Sequence, residues 1–289
     1  MCLSSYLKLM RPWQWYKNLL IFLPLIFAGE LFNQPAHLRV ILGFAALCMI
    51  SSANYILNDI IDKKKDRMHP EKKNRPLASG KANVFAAVIF GTALAVFSVW
   101  IAFYLGNYFV YFVAGLFALT FVYSYAAKQL AFVDITIIGV NFIIRAVSGA
   151  FVIFPDKIVR ISPWLVLCPF FLALFLATGK RLADIKLLGS KAHLHKPILK
   201  FYTKDVTQAL MTINTTALLI CIALYSFNSD FTNLIYTLPL PAFIMFRYIY
   251  LVESGSEIAR HAHLLFRDVQ IMIAGFLWAA VSLAIIYVF

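Results

Sequence analysis

The sequence predicts an all-α protein that crosses a membrane many times. Three observations predict this class: the composition, the length of the apolar runs and the distribution of basic residues. The 289 residues are 62% hydrophobic, 16% aromatic and only 13% charged, and the mean hydropathy is +0.80. A soluble fold of this size could not bury so much apolar surface, so the composition favours a polytopic membrane protein.

Nine apolar runs have the length of a transmembrane helix, which needs roughly 17–25 residues to cross a hydrocarbon core of about 30 Å. The first run is short and contains Pro24, which leaves its limits poorly defined. We find no internal repeat, and residues 1–289 are predicted to form a single domain. The predicted spans are 18–34, 38–58, 82–105, 107–126, 132–154, 162–179, 207–228, 232–251 and 270–289.

The basic residues are concentrated on one side of these spans. If the N-terminus is cytoplasmic, 22 of the 26 Lys and Arg fall on its side, counting Arg247 near the end of the eighth span. The opposite side holds Arg39, Lys157 and Arg160, and Arg145 lies within the fifth span. This asymmetry predicts cytoplasmic basic loops. It also accounts for the net charge of +13, so no nucleic-acid partner is predicted.

The end of the second span carries an unusual group of polar residues. Asn54, Asn58, Asp62 and Asp66 follow one another at four-residue intervals, so in a helix they lie on one face. Carboxylates one turn apart repel each other unless a cation offsets them, and carboxylate and amide oxygens suit Mg²⁺. The spacing therefore predicts a magnesium site. The alternative is a solvated helix end whose carboxylates pair with the neighbouring lysines or Arg67.

A basic loop follows this motif directly. In "HPEKKNRPLASG" (69–80), His69, Lys72 and Arg75 could bind phosphate oxygens, and arginine offers a planar pair of donors. An ordinary cytoplasmic basic loop would have a similar composition. Because the loop adjoins a predicted magnesium site, we interpret it as part of a diphosphate-binding site.

A second polar segment follows the sixth span and begins with "GKRLAD" (179–184). Lys180 and Asp184 are one helical turn apart, and Arg181 adjoins Lys180. One carboxylate beside two cations indicates half of a metal site joined to a phosphate site. The alternative is a helix end whose Lys and Asp pair with each other while the long side chains extend towards water.

Five further residues are candidates for substrate contact or need a partner inside the membrane. Lys17 in "RPWQWYKN" (11–18) could reach a phosphate, although the segment is also a good interfacial anchor. Tyr123 and Lys128 lie at the cytoplasmic end of the fourth span, where interfacial tyrosines are common. Asp134 and Arg145 lie within the fifth span, where charged residues are costly and usually line a cavity. We predict substrate contact for Lys17, Tyr123 and Lys128, and leave the role of Arg145 open.

These motifs resemble those of a known family. The segment "NDIIDKKKDR" (58–67) reads as N-D-x-x-D-x-x-x-D, and it is similar to the first aspartate-rich motif of the UbiA superfamily of intramembrane prenyltransferases. Nine spans and a polar segment after the sixth also resemble that superfamily. The resemblance implies a bundle of about nine transmembrane helices around a central cavity. It also implies Mg²⁺ held against a diphosphate by Asn58, Asp62 and Asp66.

The second motif departs from the D-x-x-x-D that is usual in members with aromatic acceptors. Lys180 stands where the first aspartate is expected, and the resemblance makes Asp184 the remaining catalytic and metal-binding carboxylate. The pattern "MRPWQWYKN", "YILNDIID", "HPEKKNRPLASG" and "GKRLAD" is more similar to the polyprenyl-phosphate phosphoribosyltransferases of the superfamily. That subgroup implies phosphoribosyl diphosphate as donor and a polyprenyl phosphate as acceptor, with Lys180, Arg181 and Lys17 near the remaining phosphates.

The expected function is therefore Mg²⁺-dependent transfer of 5-phosphoribosyl to a polyprenyl phosphate, at the cytoplasmic face of the plasma membrane, in cell-wall or lipid-linked glycan biosynthesis. Transfer of a prenyl group from a prenyl diphosphate to an aromatic or glycerol-phosphate acceptor is the alternative within the superfamily, because it uses the same metal motif. A secondary transporter is a third possibility, but the carboxylates cluster near one membrane face instead of the midplane.

Overall fold

The computed structural model describes residues 3–68, 72–155, 160–189 and 197–288, and these residues form helices joined by short turns, with no β-strand among them. The α-helices are α1 Leu3–Met10, α2 Leu23–Phe27, α3 Gln34–Ile61, α4 Lys63–Met68, α5 Val84–Leu105, α6 Asn107–Tyr125, α7 Val133–Ile153, α8 Pro163–Leu188, α9 Lys204–Asn228, α10 Pro239–Glu253, α11 Glu257–Arg260 and α12 Val269–Tyr287. Short 3₁₀ helices are Pro12–Phe22, Lys72–Asn74, Ala127–Gln129, Pro197–Lys200, Thr232–Thr237 and Ala262–Arg267.

Eight helical segments of the described chain are long and apolar enough to cross a membrane. They are α3, α5, α6, α7, α8, α9, α12 and the combined segment Thr232–Glu253. Each corresponds to one of the predicted spans, because in hydrocarbon only a helix satisfies the backbone hydrogen bonds within one segment. The predicted all-α membrane fold is confirmed, with approximately the expected number of helices.

The first predicted span, 18–34, is the exception. The 3₁₀ helix Pro12–Phe22 runs into the short α2, and neither is among the eight candidate spans. Pro24 has no amide hydrogen, so it cannot donate to the preceding turn and prevents one long α-helix here. A turn at Gly29, with a φ of 73°, then leads towards α3. The apolar run is therefore divided into two shorter helices in place of the single helix that hydropathy predicts.

The sixth span extends further than its hydropathy indicated. Helix α8 continues to Leu188 instead of ending near residue 179. Leu182 and Ala183 are buried, so an apolar face persists through the polar stretch. Lys180, Arg181 and Asp184 therefore lie on the last turns of α8 itself and not in a segment that follows the span.

The chain divides into two compact units, and the first comprises residues 1–125 and 144–160. Its core contains the fully buried Ile21, Val40 and Leu47. The 3₁₀ helix Pro12–Phe22 approaches α7 very closely, since a Cβ at Gly149 would lie 2.1 Å from the carbonyl oxygen of Ile21. Only glycine permits that contact. It fixes the 3₁₀ helix and its polar residues against α7.

The second unit comprises residues 126–143 and 161–289. Its core includes Phe175, Leu182 and Tyr248. The Tyr248 ring lies against α8 at Gly179, where a Cβ would meet the tyrosine Cε1 at 2.6 Å. This close approach brings α10 next to the turn of α8 that carries Lys180.

Candidate active site

A cluster of aspartates and arginines lies at the end of α3 in unit 1. Asp59 is only 3% exposed and forms an ion pair with Arg11. Arg75 donates through Nη1 to Oδ1 of Asp59 at 3.0 Å and to Oδ2 of Asp66 at 2.7 Å. The guanidinium of Arg11 also lies 5.0 Å from the ring centroid of Tyr55. We call Arg11, Asp59, Asp66 and Arg75 the α3-end cluster.

Sequence reasoning missed the central member of this cluster. Asp59 lies outside the four-residue register of the predicted ligands, and its partners Arg11 and Arg75 are 48 and 16 positions away. Spacing gives no signal for contacts over such separations. Burying an ionised aspartate is costly unless cations pair with it, so the two arginines beside Asp59 indicate a site organised by ion pairs.

The predicted metal ligands lie at a one-residue break between two helices. Helix α3 ends at Ile61 and α4 begins at Lys63. The amide of Asp62 still donates to the carbonyl of Asn58 at 2.9 Å, and that of Asp66 to the carbonyl of Asp62 at 2.8 Å. The helical register therefore continues through the break. Asn58 and Asp62 are partly exposed, whereas Asp66 is buried.

The oxygen donors of this segment fit a hard divalent cation. In the part of the chain that the structure describes, no three His, Cys, Asp or Glu side chains converge on one point. Mg²⁺ does not require such a cage, because it commonly takes one or two carboxylates together with water and substrate phosphates. One turn before Asn58, the buried amide nitrogen of Asn54 has no hydrogen-bond partner. An unsatisfied donor here indicates that this helix face receives a further polar group.

The other predicted phosphate ligands of unit 1 are dispersed. Lys72 lies in the short 3₁₀ helix that precedes Arg75, on the surface. Lys17 is partly buried on the 3₁₀ helix Pro12–Phe22, and Tyr123 lies in the last turn of α6. The 3₁₀ helices of Lys72 and Lys17 each adjoin a member of the α3-end cluster in sequence, Arg75 and Arg11 respectively. His69 lies outside the described residues.

In unit 2 the carboxylate of the predicted second motif is bound by an arginine. Arg260, from α11, donates through Nε to Oδ1 of Asp184 at 3.1 Å. His261 follows at the end of α11. Its pKa lies below the ordinary value because of burial and the nearby charges of Lys180 and Arg260. Asp184 thus sits among basic side chains, and sequence spacing could not identify Arg260 because 76 residues separate the pair.

Arg181, which the sequence predicts to bind phosphate, contacts a buried carboxylate in the structure. It donates through Nη2 to Oδ2 of Asp134 at 2.5 Å, and its side chain is only 4% exposed. Tyr202 donates its hydroxyl proton to the other carboxylate oxygen, also at 2.5 Å, and accepts from the amide of Phe132. Burial and the bond to Asp134 raise the pKa of Tyr202. We call Asp134, Arg181 and Tyr202 the closed cluster.

The closed cluster bears on two residues singled out in the sequence. Asp134, which we expected to line a cavity, is fully buried and bound by protein groups, and Arg181, whose phosphate-binding role stays a prediction, is enclosed with it. A guanidinium that already binds a buried carboxylate is a poor phosphate ligand, since releasing it would leave a charge unpaired. Lys128 lies six residues before Asp134, in the 3₁₀ helix Ala127–Gln129.

The helices and these charged groups first define the class of protein. It is an integral membrane protein whose ionised side chains lie together at the ends of its spans. The chain belongs to the UbiA prenyltransferase family, whose profile matches residues 19–268. The resemblance found in the sequence is thereby confirmed. Membership makes the protein a UbiA-family transferase and removes support from the transporter alternative.

Two relatives of similar sequence are both named decaprenyl-phosphate phosphoribosyltransferase. The decaprenyl-phosphate phosphoribosyltransferase of Mycolicibacterium smegmatis is 32% identical over 239 residues, which are 81% of this chain and 74% of that protein. The decaprenyl-phosphate phosphoribosyltransferase of Corynebacterium glutamicum is 31% identical over 229 residues, or 78% of this chain and 68% of that protein.

A solved structure shows the same fold. A UbiA homologue from Archaeoglobus fulgidus, bound to DMAPP and Mg²⁺, aligns with a TM-score of 0.73 over 99% of this chain and 100% of that chain. At 20% identity this likeness establishes the architecture alone. Divalent metal use within the fold is consistent with the oxygen donors at the end of α3.

Proposed function

We propose that this protein transfers 5-phosphoribosyl from phosphoribosyl diphosphate to a polyprenyl phosphate at the cytoplasmic face of the membrane. The observation that carries the proposal is the similarity to two decaprenyl-phosphate phosphoribosyltransferases over about four fifths of the chain. The concentration of basic residues beside the α3-end cluster supports the cytoplasmic location.

The second motif supports this donor. Its one carboxylate, Asp184, is bound by Arg260, and Lys180 occupies the position of the usual first aspartate. Asp184 stays a proposed catalytic and metal-binding residue, which Arg260 orients as Arg75 orients Asp66. A motif of one carboxylate and several cations suits a metal ion joined to a phosphate. Phosphoribosyl diphosphate carries a 5-phosphate in addition to its diphosphate.

In unit 1 the proposal assigns Asn58, Asp62 and Asp66 to Mg²⁺. The bound ion would supply electrostatic neutralisation for the diphosphate leaving group. Arg75 holds Asp66 in place through Nη1 and, with Lys72, offers donors to the diphosphate oxygens.

The transfer itself is a substitution at ribose C1. An oxygen of the lipid phosphate forms the new bond to C1, while the bond from C1 to the diphosphate breaks and its electron pair leaves with the diphosphate. The acceptor is already an anion, so the chain needs no strong general base for this step. The protein's contribution is to orient both substrates and to stabilise the departing charge.

Prenyl transfer from a prenyl diphosphate is the second candidate. The fold of the DMAPP-bound UbiA homologue favours it, because the same architecture holds a prenyl donor there. The two reactions differ in whether the lipid acts as nucleophile or as electrophile. Tyr123, Lys128 and Lys17 remain proposed substrate contacts in either case.

The deciding experiment supplies the purified full-length protein with Mg²⁺, labelled phosphoribosyl diphosphate and a polyprenyl phosphate. We expect a labelled lipid that carries phosphoribosyl. In a parallel reaction the protein receives geranylgeranyl diphosphate and an aromatic acid. Prenylation of the acid without any labelled lipid in the first reaction would overturn the proposal in favour of prenyl transfer.

A further inference from the structure

Two buried polar side chains lie on α3 within two turns of the proposed metal ligand Asn58. Ser51 is 5% exposed and Asn54 is 3% exposed. Among the described residues, neither Oγ of Ser51 nor Nδ2 of Asn54 has a hydrogen-bond partner. Leaving such atoms unpaired costs free energy, because they lose their hydrogen bonds to water and gain none in the protein. The pair therefore indicates a ligand that supplies the missing partners.

The next serine in the sequence shows how a structural hydroxyl is used in this helix. Ser52 is fully buried, and its Oγ donates to the carbonyl of Cys48, one turn earlier, at 2.7 Å. The same oxygen accepts from Nε1 of Trp15 at 3.1 Å. Hydroxyls inside helices often bond to the carbonyl of the preceding turn in this way. Within the described part of the chain Ser51 makes no such bond, so its hydroxyl is not used to hold the helix.

Ser51 and Asn54 belong to the helix face that carries the metal ligands. Asn54 precedes Asn58 by four residues, or about 6 Å along the axis, and Ser51 precedes it by seven, which is two turns. Another face of α3 packs against α5, where a Cβ at Gly91 would lie 3.3 Å from Cγ2 of Ile56. The two polar side chains lie away from that contact. They continue the line of the metal ligands towards the middle of the span.

This position restricts the chemistry of the ligand. A diphosphate bound at the end of α3 would direct the group attached to it along the same helix face, towards Asn54 and Ser51. In a prenyl diphosphate that group is a hydrocarbon, which cannot pair with an amide or a hydroxyl. In phosphoribosyl diphosphate it is a ribose, whose hydroxyls both donate and accept hydrogen bonds.

The two side chains match a sugar better than a further phosphate. A carboxamide offers donors and an acceptor, and a serine hydroxyl offers both functions on one atom. Each can therefore pair with a ribose hydroxyl in either direction. Neither is charged, whereas strong hydrogen bonds to phosphate oxygens come from Arg and Lys.

We propose that Asn54 and Ser51 bind the 2- and 3-hydroxyls of the donor's ribose and so select a phosphoribosyl donor over a prenyl donor. The identity of the donor rests on the proposed function, which this assignment deepens. The selection arises because an apolar donor leaves both buried polar groups unpaired, whereas ribose pairs with them.

The test measures donor binding to the purified full-length protein in nanodiscs, with Mg²⁺ and without added lipid acceptor. The probes are phosphoribosyl diphosphate and its 2,3-dideoxy analogue, which differ only in the two hydroxyls. We expect wild type to bind the ribosyl donor at least about tenfold more tightly than the analogue. In Asn54→Leu and in Ser51→Ala the affinity for the ribosyl donor should fall about fivefold to tenfold, and that for the analogue should stay the same or rise.

Ser52→Ala is the matched control. It removes a buried hydroxyl from the next residue of the same helix, but this hydroxyl is paired within the protein. We expect a lower melting temperature and an unchanged preference for the ribosyl donor. Without ligand, Asn54→Leu and Ser51→Ala should melt at the wild-type temperature or above it, because they remove unpaired atoms. If Asn54→Leu does not fold, Ser51→Ala, the smaller change, tests the assignment.

Geranylgeranyl diphosphate and farnesyl phosphate are the remaining probes, and both variants should bind them at least as tightly as wild type does. The assignment is overturned if the variants keep the wild-type preference for phosphoribosyl diphosphate over its analogue. Equal losses for these two probes, or a loss confined to either prenyl compound, would also overturn it. Failure of the proposed function is seen separately, as an absence of labelled lipid in the transfer reaction.

Discussion

The α3-end cluster of unit 1 and the closed cluster of unit 2 both join aspartate to arginine, yet they differ in access. In the closed cluster Asp134 is fully buried, and its partner Arg181 has a side chain only 4% exposed. In the α3-end cluster Asp59 is equally enclosed, but the side chain of Arg75 remains 26% exposed. Arg75 can therefore reach a ligand while it holds its carboxylates.

The comparison shows that an ion pair by itself does not define a binding site. Where both partners are enclosed, as for Arg181 and Asp134, the pair fixes one arrangement of the chain, and separating the charges is costly. Where the arginine keeps an open side, the carboxylates orient it towards a substrate. The two kinds of cluster should respond in opposite ways to mutation: one in stability, the other in activity.

Replacing Arg181 by Met should have the largest effect, and it should fall on stability. The variant leaves Asp134 as an uncompensated buried charge, so we expect the free energy of unfolding to fall by about 3–5 kcal/mol. Thermal and denaturant unfolding of the purified protein measure this loss. The double variant Arg181→Met, Asp134→Leu should regain most of it, because an apolar pair needs no charge partner. Unchanged stability with weaker donor binding would instead restore the phosphate-binding role predicted from the sequence.

Replacing Asp62 by Ala should affect activity and spare the fold. Asp62 is partly exposed in the turn after α3, and it is a proposed Mg²⁺ ligand. We expect the turnover rate to fall by about 10²–10³, the range found when one group that stabilises transition-state charge is removed. Asp205→Asn, an exposed aspartate in the first turn of α9, is the control and should remain active. A fully active Asp62→Ala enzyme would exclude this residue from the metal site.

Replacing Arg75 by Lys should have a smaller effect than the two preceding substitutions, and this effect should be on donor binding. Lysine keeps the charge and one nitrogen for Asp59 and Asp66, but it lacks the Nε and Nη2 donors that Arg75 has besides the Nη1 of these contacts. We expect KM for phosphoribosyl diphosphate to rise about tenfold with little change in the melting temperature. The control is Arg67→Lys, since Arg67 donates to the backbone carbonyl of Ala78 alone among its described contacts. Equal effects of the two substitutions would show that Arg75 has no special part in donor binding.

The smallest effect on stability is expected at the ion pair of Arg247 and Asp268. Burial acts to raise the pKa of Asp268, but hydrogen bonds from Arg247 and the amide of Ile271 lower it below the ordinary value of 3.8. A lowered pKa contributes stability that is present above about pH 4 and is lost as the pH falls through the folded-state value.

Asp268→Asn keeps the N-cap of α12 and removes only this charge. We expect a loss of about 0.5–1 kcal/mol in the free energy of unfolding at neutral pH, as for other partly exposed pairs. The difference from wild type should shrink as the pH is lowered below 4 in an unfolding series. A difference that grew on acidification would contradict the assigned direction of the pKa shift.

Much of the fold was predictable because the relevant signals are local. Apolar length predicted seven spans to within a few residues of their observed ends, since a chain in hydrocarbon must form helices there. Pro24 interrupts the first predicted span, and buried side chains extend α8 past residue 179. The register of Asn58, Asp62 and Asp66 was equally local, because four-residue spacing maps directly onto a helix face.

The sequence by itself determined eight of the spans and the polar helix face at Asn58 and Asp62. Only the tertiary structure decided which charges meet: Asp59 with Arg11 and Arg75, and Arg181 with Asp134. The physical reason is that both faces of a membrane helix are apolar, so hydropathy does not mark the face that packs inward. Charges 48 or 47 residues apart are then brought together by packing alone.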